Sequence, residues 1–506
     1  MALEHRVMFT QFWRLTVFCC LALFFVSCSP LPNLYAVEGP STTQLVYPRE
    51  GKEFAPVVTA GTPLINVLGV TYFVEEANSR LWRTDGTPAG TYSIEALFPG
   101  RQSGYFSLFG QINDLLLVRI TGDGNEELWS TDGLKDSKLL LSFAGEGKNT
   151  SVNIGYGENF EFEGRFYFAI QTITYNDLGN VESVEAKLWR TDGTEENTQS
   201  LDVLFPTVSI SNGRGAAQLS NSLFFQSYED AVPELAIWRL DAQGVQKVQS
   251  FERDPTYKKP VWAGPFVAFG DYLYFFLQTM DGRSGVWRID QTGASLEFLV
   301  ERPPAYYDSS VIDTEGIFVE SLTALTDHLL FLDRRNQQTQ LWSFDPKQNK
   351  AILVSTLVTS SYRNETTFAT TNMRIGTDNK LYLNLLTESG ANELWASDGT
   401  ATGTQLVAEG GSPFASSYIA ETPSGIVGLG IDGAAASYLY IYPLDGRSPF
   451  VIRNLGGFFT LYPRIYRFGH ELYFTARDPL PLGTVYLWHM DLDALNPSNT
   501  FLPIVH

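Results

Sequence analysis

Beyond residue 42 the chain alternates short apolar segments with turns, a pattern that predicts many short β-strands. One kind of segment is a run of aliphatic and aromatic residues, such as RFYFAI from Arg165 or YLYFFLQ from Tyr272. A second kind joins an aliphatic residue to an aromatic one and leads into a polar turn, as in LWRTDGT from Leu81. Short strands bounded by Gly, Asp and Asn are typical of all-β proteins.

The aliphatic–aromatic segment recurs along the chain at a regular interval. Its aromatic residue stands at intervals of 46 to 60 residues: Trp82, Trp129, Trp189, Trp238, Trp287, Trp342, Trp395, Tyr442 and Trp488. Four short strands with their turns need about 50 residues, which agrees with this interval. Periods of this size are typical of solenoids and propellers. The sequence therefore predicts nine units of one four-stranded repeat.

The apolar residues of the segment indicate that both faces of each sheet are covered. The residue before the aromatic one is always aliphatic, and adjacent residues of a strand point to opposite faces. The first and last units are as apolar as the middle ones, whereas an open array needs polar end units. We therefore predict an all-β fold over residues 43–506, a closed β-propeller of eight or nine four-stranded blades.

The two ends of the chain are expected to meet. The segment TQLVY, from Thr43, resembles the strand that follows the turn in each unit but has no tryptophan of its own. We expect it to close the ring by pairing with TFLPIV, from Thr500. A plain N-terminal arm is the alternative.

An Asp stands three residues after the aromatic residue in every unit, and Gly follows it in five of them: Asp85, Asp132, Asp192, Asp241, Asp290, Asp345, Asp398, Asp445 and Asp491. An Asp side chain can accept backbone N–H bonds within a turn. The same turn in every unit is the simplest explanation for the same residue. A ring of carboxylates that binds calcium is the alternative, and we expect no other cofactor.

These motifs resemble the ELWxxDGT repeat family of bacterial secreted and surface proteins. Residues 127–133 and 393–400 carry the resemblance best, and the extension Thr-x-x-Gly-Thr stands at 87–91 and 400–404. The resemblance covers nearly all of the chain beyond the N-terminal segment. Units four to six and nine depart from the pattern after the Asp, so their turns are open to a different shape. The resemblance implies a propeller-like fold and an exported protein, but no reaction and no catalytic residues.

Residues 1–27 have the layout of a secretory signal peptide. Arg6 and Arg14 precede a mostly apolar run over residues 15–27. A helix of this run is about 20 Å long, too short for a bilayer core of about 30 Å. The chain is therefore expected to be exported.

Cys28 is the candidate site of lipidation. Val26-Ser27-Cys28 resembles the end of a bacterial lipobox, although Phe25 stands where Leu is usual. Cys28 would be the sole cysteine of the mature chain, and residues 28–42 would form its tether. Ser29 resembles the outer-membrane sorting choice, which implies an outer-membrane lipoprotein or a cell-surface protein with membrane contact only through the anchor. The alternative is ordinary cleavage after Ala36, which would give a freely secreted or periplasmic protein.

Charge and residue types exclude several functions. The formal net charge of −21 repels phosphate backbones and anionic lipids, so we expect no nucleic-acid partner. No cysteine follows Cys28, which excludes thiolate metal sites from the propeller. The histidines lack metal-ligand spacing, so we expect no metal site. His5 leaves with the signal peptide, and we interpret the other four as solvated turn residues: His328, His470, His489 and His506.

Loops that lengthen the period are the candidate binding sites. Extra residues lie between Trp129 and Trp189 and between Trp287 and Trp395, and insertions in repeat proteins map to loops. The candidate contact residues are aromatic: Trp262, Tyr306, Tyr307 and Tyr362. They would stack on sugars or contact a partner protein, or else pack the loop onto its own blade.

We therefore predict a non-enzymatic binding or scaffold propeller on the bacterial cell envelope, with a protein or polysaccharide partner. The alternative is a polysaccharide hydrolase or lyase with its site in the central funnel.

Overall fold

The apolar segments form strands along the whole described chain. In the computed structural model the described residues are 43–45, 63–75, 79–101, 104–122, 124–135, 137–144, 149–155, 159–206, 208–210, 216–229, 234–252, 262–279, 283–301, 316–317, 321–335, 338–348, 350–359, 373–386, 392–410, 417–431, 437–444, 450–456, 465–477 and 485–495. Within them the strands form nine antiparallel sheets, which we call blades 1 to 9 in chain order.

The chain begins with β1 (Thr43–Leu45), which precedes blade 1. Blade 1 contains β2 (Ile65–Val67), β3 (Val70–Val74), β4 (Leu81–Thr84) and β5 (Tyr92–Ser93). Blade 2 contains β6 (Tyr105–Ile112), β7 (Leu115–Gly122), β8 (Asn125–Thr131) and β9 (Lys138–Ala144). Blade 3 contains β10 (Thr150–Ile154), β11 (Phe160–Phe162), β12 (Arg165–Tyr175), β13 (Val181–Thr191) and β14 (Gln199–Pro206).

Blade 4 contains β15 (Val208–Ile210), β16 (Ala216–Leu219), β17 (Ser222–Glu229), β18 (Glu234–Asp241) and β19 (Gly244–Glu252). Blade 5 contains β20 (Trp262–Ala263), β21 (Val267–Phe269), β22 (Tyr272–Gln278), β23 (Ser284–Asp290) and β24 (Leu296–Glu301). Blade 6 contains β25 (Gly316–Ile317), β26 (Thr323–Ala324), β27 (Leu329–Arg335), β28 (Gln338–Asp345) and β29 (Lys350–Thr359).

Blade 7 contains β30 (Arg374–Ile375), β31 (Leu381–Leu386), β32 (Asn392–Ser397) and β33 (Gln405–Gly410). Blade 8 contains β34 (Ser417–Thr422), β35 (Gly425–Ile431), β36 (Ser437–Tyr442) and β37 (Phe450–Gly456). Blade 9 contains β38 (Ile465–Phe468), β39 (Glu471–Arg477) and β40 (Val485–Asp491). Short 3₁₀ turns span Glu95–Leu97 and Leu492–Leu495.

Every blade follows the same antiparallel order. In blades 3 to 6 two short strands pair with the same second strand and share the place of the first, as β10 and β11 do beside β12. The weak apolar segment that ends each sequence unit is therefore the first strand of the following blade. The third strand carries the aromatic residue of the repeat, and its cross-strand neighbour in blade 1 is Phe73, opposite Trp82.

The blades stack side by side into a closed ring. A buried apolar cluster lies between each pair of successive blades within the described chain. A further cluster joins Phe73 and Trp82 of blade 1 to Tyr473 and Leu487 of blade 9. The aliphatic residue of every unit is buried, and the aromatic residue is buried in six units, as Leu81 and Trp82 show. The aromatic residue is partly buried in the other three: Trp189, Trp342 and Trp395. The predicted propeller is confirmed, with nine blades.

Strand β1 completes blade 9. It pairs antiparallel with β40, with Thr43 opposite Met490 and Leu45 opposite Trp488. The expected closure through the Thr43 segment is therefore found, and within the described residues its partner is β40. Residues 500–505, the expected partner, lie outside the described residues.

The ring has two different faces. First strands of neighbouring blades contact one another, for instance β16 with β21 and β34 with β38, so they line the centre. The turns after the first and third strands share one face, where Asn113 donates to the carbonyl oxygen of Asp192. We call this the turn face. The opposite face, which we call the connection face, carries the turns between second and third strands and the connections from blade to blade.

Candidate functional site

The Asp that follows each aromatic residue holds the turn after the third strand. This turn leads to the fourth strand in blades 1 to 7 and to the 3₁₀ turn Leu492–Leu495 in blade 9. In each of the eight units whose Asp is described, its Oδ1 accepts the backbone N–H two residues further on, at 2.8–3.2 Å. Asp445 lies outside the described residues. The predicted turn role of the Asp is therefore confirmed, and it extends to units in which no Gly follows.

In two units the Asp side chain fills the space beside the Gly of the Thr-x-x-Gly-Thr extension. A Cβ atom at Gly90 would stand 2.0 Å from Oδ1 of Asp85, and one at Gly403 would stand 2.0 Å from Asp398. In blade 3 an Asn takes this place, and Nδ2 of Asn197 donates to Oδ2 of Asp192 at 2.7 Å. The extension is thus a device for folding the turn.

In blades 1, 2 and 4 the residue after the aromatic one binds the turn of the following blade. Nη1 of Arg83 donates to the carbonyl oxygen of Gly133 in the turn of blade 2, at 3.3 Å. Oγ of Ser130 donates to that of Gly193 in blade 3 at 2.9 Å, and Nη1 of Arg239 reaches Thr292 in blade 5. The polar groups of the repeat are therefore used to hold blades together.

Acid is expected to weaken these turns. The N–H groups of Leu134 and Lys135 lower the pKa of Asp132, and the hydroxyl and N–H of Thr400 lower the pKa of Asp398. A carboxyl whose pKa is lower in the folded chain adds stability above its unfolded pKa, and this stability is lost as the pH falls through the folded pKa. We therefore expect the Tm, followed by circular dichroism, to decrease below about pH 4.

The control for this prediction removes the charge. A double variant with Asp132→Asn and Asp398→Asn keeps the amide oxygen as an acceptor but cannot titrate. Its Tm should decrease less on acidification than that of the wild type. Equal decreases would contradict a contribution of these two turns to acid sensitivity.

The Glu of the repeat motif binds the indole of the same unit. Oε2 of Glu127 accepts the N–H of Trp129 at 2.9 Å, and Glu393 does the same for Trp395 at 2.8 Å. Glu127 also accepts from Nε and Nη2 of Arg101, at 2.7 and 2.5 Å, and its side chain is 1% exposed. Burial alone would raise the pKa of Glu127, but the donors around it hold that pKa below its ordinary value.

The histidines differ in their surroundings. His470 is exposed, with Nδ1 3.1 Å from Oδ1 of Asp493, which confirms a solvated turn residue. His328 packs against Gly399 of blade 7. His489 lies in β40 with its side chain 14% exposed, contacts Glu471 and packs against Gly86 of blade 1. The interpretation as a solvated turn residue is wrong for His489, because it follows the aromatic residue and so meets the neighbouring blade.

A cluster of ionisable side chains joins blades 7, 8 and 9 on the turn face. Glu421 accepts the N–H of Thr377 at 2.8 Å and lies 3.4 Å from Nη1 of Arg467. Tyr382 donates to Oδ2 of Asp378 at 2.9 Å, and burial together with this carboxylate raises the pKa of Tyr382. Both carboxylates therefore bind donors from the protein itself, and the cluster links three blades.

In the described part of the chain, the His, Cys, Asp and Glu side chains form no group of three or more that could hold a metal ion. None of the helices in that part is long and apolar enough to cross a membrane.

The candidate residues from the sequence fall in different places. Trp262 lies in β20, where it pairs with Gln278 of β22, so its backbone belongs to a blade and not to a loop. Cys28, Tyr306, Tyr307 and Tyr362 lie outside the described residues. Of the strands that flank these tyrosines, β24 and β29 end and β25 begins at the connection face. β30 pairs with the turn-face end of β31.

The extra residues between Trp129 and Trp189, expected to form a loop, instead lengthen a hairpin of blade 3 at the connection face. Strands β12 and β13 have 11 residues each, against 5 to 8 in the second strands of the other blades. The additional residues explain why Trp129 and Trp189 are further apart than any other two successive aromatic residues of the series. That spacing was the signal for a projecting hairpin.

Comparison with known proteins gives likeness of fold only. No protein-family model and no curated protein sequence matches the chain. A puromycin-hydrolyzing peptidase of Mycobacterium tuberculosis is 10% identical, with 86% of this chain and 62% of that chain covered and a TM-score of 0.35. This chain therefore spans less than two thirds of the peptidase.

Two further solved structures are similar over most of their own length. An oligogalacturonate lyase in complex with manganese is 10% identical, covering 87% of this chain and 98% of that chain, with a TM-score of 0.37. TolB from Acinetobacter baumannii is 12% identical, covering 70% of this chain and 80% of that chain, with a TM-score of 0.27. Likeness at these scores does not extend to activity.

Proposed function

We propose that this protein is a non-enzymatic binding or scaffold propeller of the bacterial cell envelope, with a protein or polysaccharide partner. The observation that carries the proposal is that the polar side chains of the repeat make their hydrogen bonds within the propeller. The Asp residues bind their own turns, Arg83 binds the next blade and Glu127 binds the indole of Trp129. The connection face, with its projecting hairpin, is the surface we assign to the partner. The Asp-Gly-Thr turns also support membership of the ELWxxDGT repeat family.

The proposed binding function is tested on the whole mature chain. Purified envelope polysaccharides and envelope proteins are titrated against it by calorimetry, and each polysaccharide is then examined for shortened products. We expect binding without turnover. Release of unsaturated or reducing ends would support the alternative, a hydrolase or lyase of the central funnel. Absence of binding to every candidate would contradict the proposed function.

We also propose that Cys28 carries a lipid anchor. Strand β1 runs from Thr43, at the turn face, towards the connection face, because it is antiparallel to β40. The proposed tether, residues 28–42, directly precedes β1 and so joins the ring at the turn-face end of that strand. An anchor on Cys28 would thus direct the turn face towards the membrane and the connection face, with its partner surface, away from it.

Metabolic labelling tests the anchor. Cells that express the wild type in the presence of radiolabelled palmitate should incorporate label into the chain, and a Cys28→Ala variant should incorporate none. Cys20→Ala, inside the signal segment, is the matched control and should be labelled as the wild type is. Equal labelling of the wild type and Cys28→Ala, or no label in either, would end the lipoprotein proposal.

A further inference from the structure

The hairpin of β12 and β13 presents an ordered tip beyond the connection face. Asn176 Oδ1 accepts the N–H groups of Leu178 and Asn180, at 3.0 and 2.9 Å. Nδ2 of Asn149 donates to Oδ1 of Asp177 at 3.3 Å, and the N–H of Tyr175 donates to the carbonyl oxygen of Asn149. The tip is therefore held by its own hydrogen bonds, and a partner would not need to order it on binding.

The tip exposes apolar side chains. Leu178 is 85% exposed, and Val181, at the start of β13, is 58% exposed. The turn is closed by Asn176 and Gly179, so these two apolar residues are not needed for the reversal itself. Large apolar side chains grouped on a projecting element are typical of a contact surface.

Among the residues that the structure describes, no strand covers one edge of the hairpin beside Leu178 and Val181. Strand β10 covers the edge of β12 as far as Thr174. On the other side β14 pairs with β13 only from Glu185 onward, where its partner Pro206 has no N–H to continue the ladder. Among the described strands, none pairs with Val181–Val184 on that side. An open edge next to apolar side chains is the geometry for addition of an extended segment from a partner.

The negative charge around this edge favours a positively charged partner. Asp177, Glu182 and Glu185 are exposed on the hairpin, with Lys187 as the nearby cation. A second copy of this chain would carry the same formal net charge of −21. Pairing of the two hairpins would also place Glu182 near the carboxylates of the other copy. Repulsion of this kind disfavours self-pairing and favours a segment that carries Lys or Arg.

We infer that the Val181–Val184 edge and the apolar tip bind an extended, positively charged segment of a partner protein by strand addition. The inference rests on the proposed binding function and names its partner class. It is independent of the lipid anchor. The partner's backbone pairs with β13, its apolar side chains cover Leu178 and Val181, and its cations lie beside Glu182 and Glu185.

The test uses the whole mature chain and a fluorescent peptide of alternating Lys and Val residues, with binding followed by anisotropy. The Glu182→Lys, Glu185→Lys double variant should weaken binding by at least about tenfold. The matched control is Glu195→Lys, Glu196→Lys, which makes the same charge change in the same blade on exposed residues of the turn face. The control should bind as the wild type does, apart from a small general effect of charge.

The apolar part of the site has its own matched pair. Leu178→Ser should also weaken binding by about tenfold, whereas Leu134→Ser, on a 66% exposed residue of the turn face, should not. Thermal melts of all four variants check that the ring is intact. Equal affinity of the hairpin variants and their controls, or no binding of the peptide to the wild type, would overturn the inference.

The outcomes separate this inference from the proposed function. If the wild type binds an envelope protein and the hairpin variants bind it equally well, the strand-addition site is wrong and the binding function stands. If the wild type binds neither the peptide nor any envelope candidate, both are wrong. A chain that self-associates through Leu178 in sedimentation experiments would make a second copy the occupant and overturn the inference as stated.

Discussion

Replacing Phe73 by Ala is expected to lower the free energy of unfolding by about 3–5 kcal/mol, as much as replacing Phe225 by Ala. Both side chains are fully buried, and each lies opposite and stacked on the Trp of its own blade, with ring centroids 6.4 and 6.3 Å apart. Phe73 faces blade 9, and Phe225 faces blade 3. Their equivalence is a direct consequence of ring closure.

The comparison distinguishes a ring from an open array. In an open array blade 1 would be an end, and Phe73 would have no neighbour from blade 9, so its loss would cost far less than that of Phe225. Urea denaturation of the two variants, with the m-value checked for constancy, measures the difference. A cost below about 1 kcal/mol for Phe73→Ala beside a full cost for Phe225→Ala would contradict closure through the interface of blades 9 and 1.

Replacing Arg101 by Met is expected to destabilise the protein by about 3 kcal/mol near neutral pH, at the lower end of the usual cost because Arg101 is partly exposed. The change leaves the carboxylate of Glu127, 1% exposed, without the guanidinium that donates to both of its oxygens. A double variant, Arg101→Met with Glu127→Gln, should be more stable than Arg101→Met alone. The amide has no charge to bury and can still accept the N–H of Trp129.

Acidification should change the contribution of Glu127 to stability in opposite directions in the wild type and in Arg101→Met. In the wild type the pKa of Glu127 is lowered, so its contribution is present above the unfolded pKa and is lost as the pH falls through the folded pKa. In Arg101→Met burial raises that pKa, and protonation on acidification relieves the buried charge. The stability gap between the chains should therefore shrink from neutral pH towards about pH 4. Chemical denaturation at a series of pH values measures it, and parallel curves would contradict the assigned role of Arg101.

Two contacts of the ring were not visible in the sequence for the same reason. His489 belongs to the contact between blades, and β1 pairs with β40. Gly86, the neighbour of His489, and β40, the partner of β1, are both distant in sequence. The repeat pattern does not indicate which edge of blade 9 is left for pairing. The hairpin of blade 3 was visible only as a long interval between Trp129 and Trp189, because an interval does not say whether its residues form a loop or extend two strands.

The sequence by itself determined the architecture. The period of the aromatic residue predicted nine units, the pairing of aliphatic with aromatic residues predicted sheets covered on both faces, and the invariant Asp predicted one turn in each unit. These are local properties, since strand length, alternation and turn chemistry depend on a few neighbouring residues. The contacts of Arg83, Ser130 and Arg239 with the next blade, and the exposed edge at Val181–Val184, were decided only by the tertiary structure. These features depend on which residues the ring brings together across tens of positions in sequence. The local pattern of the repeat does not specify such long-range contacts.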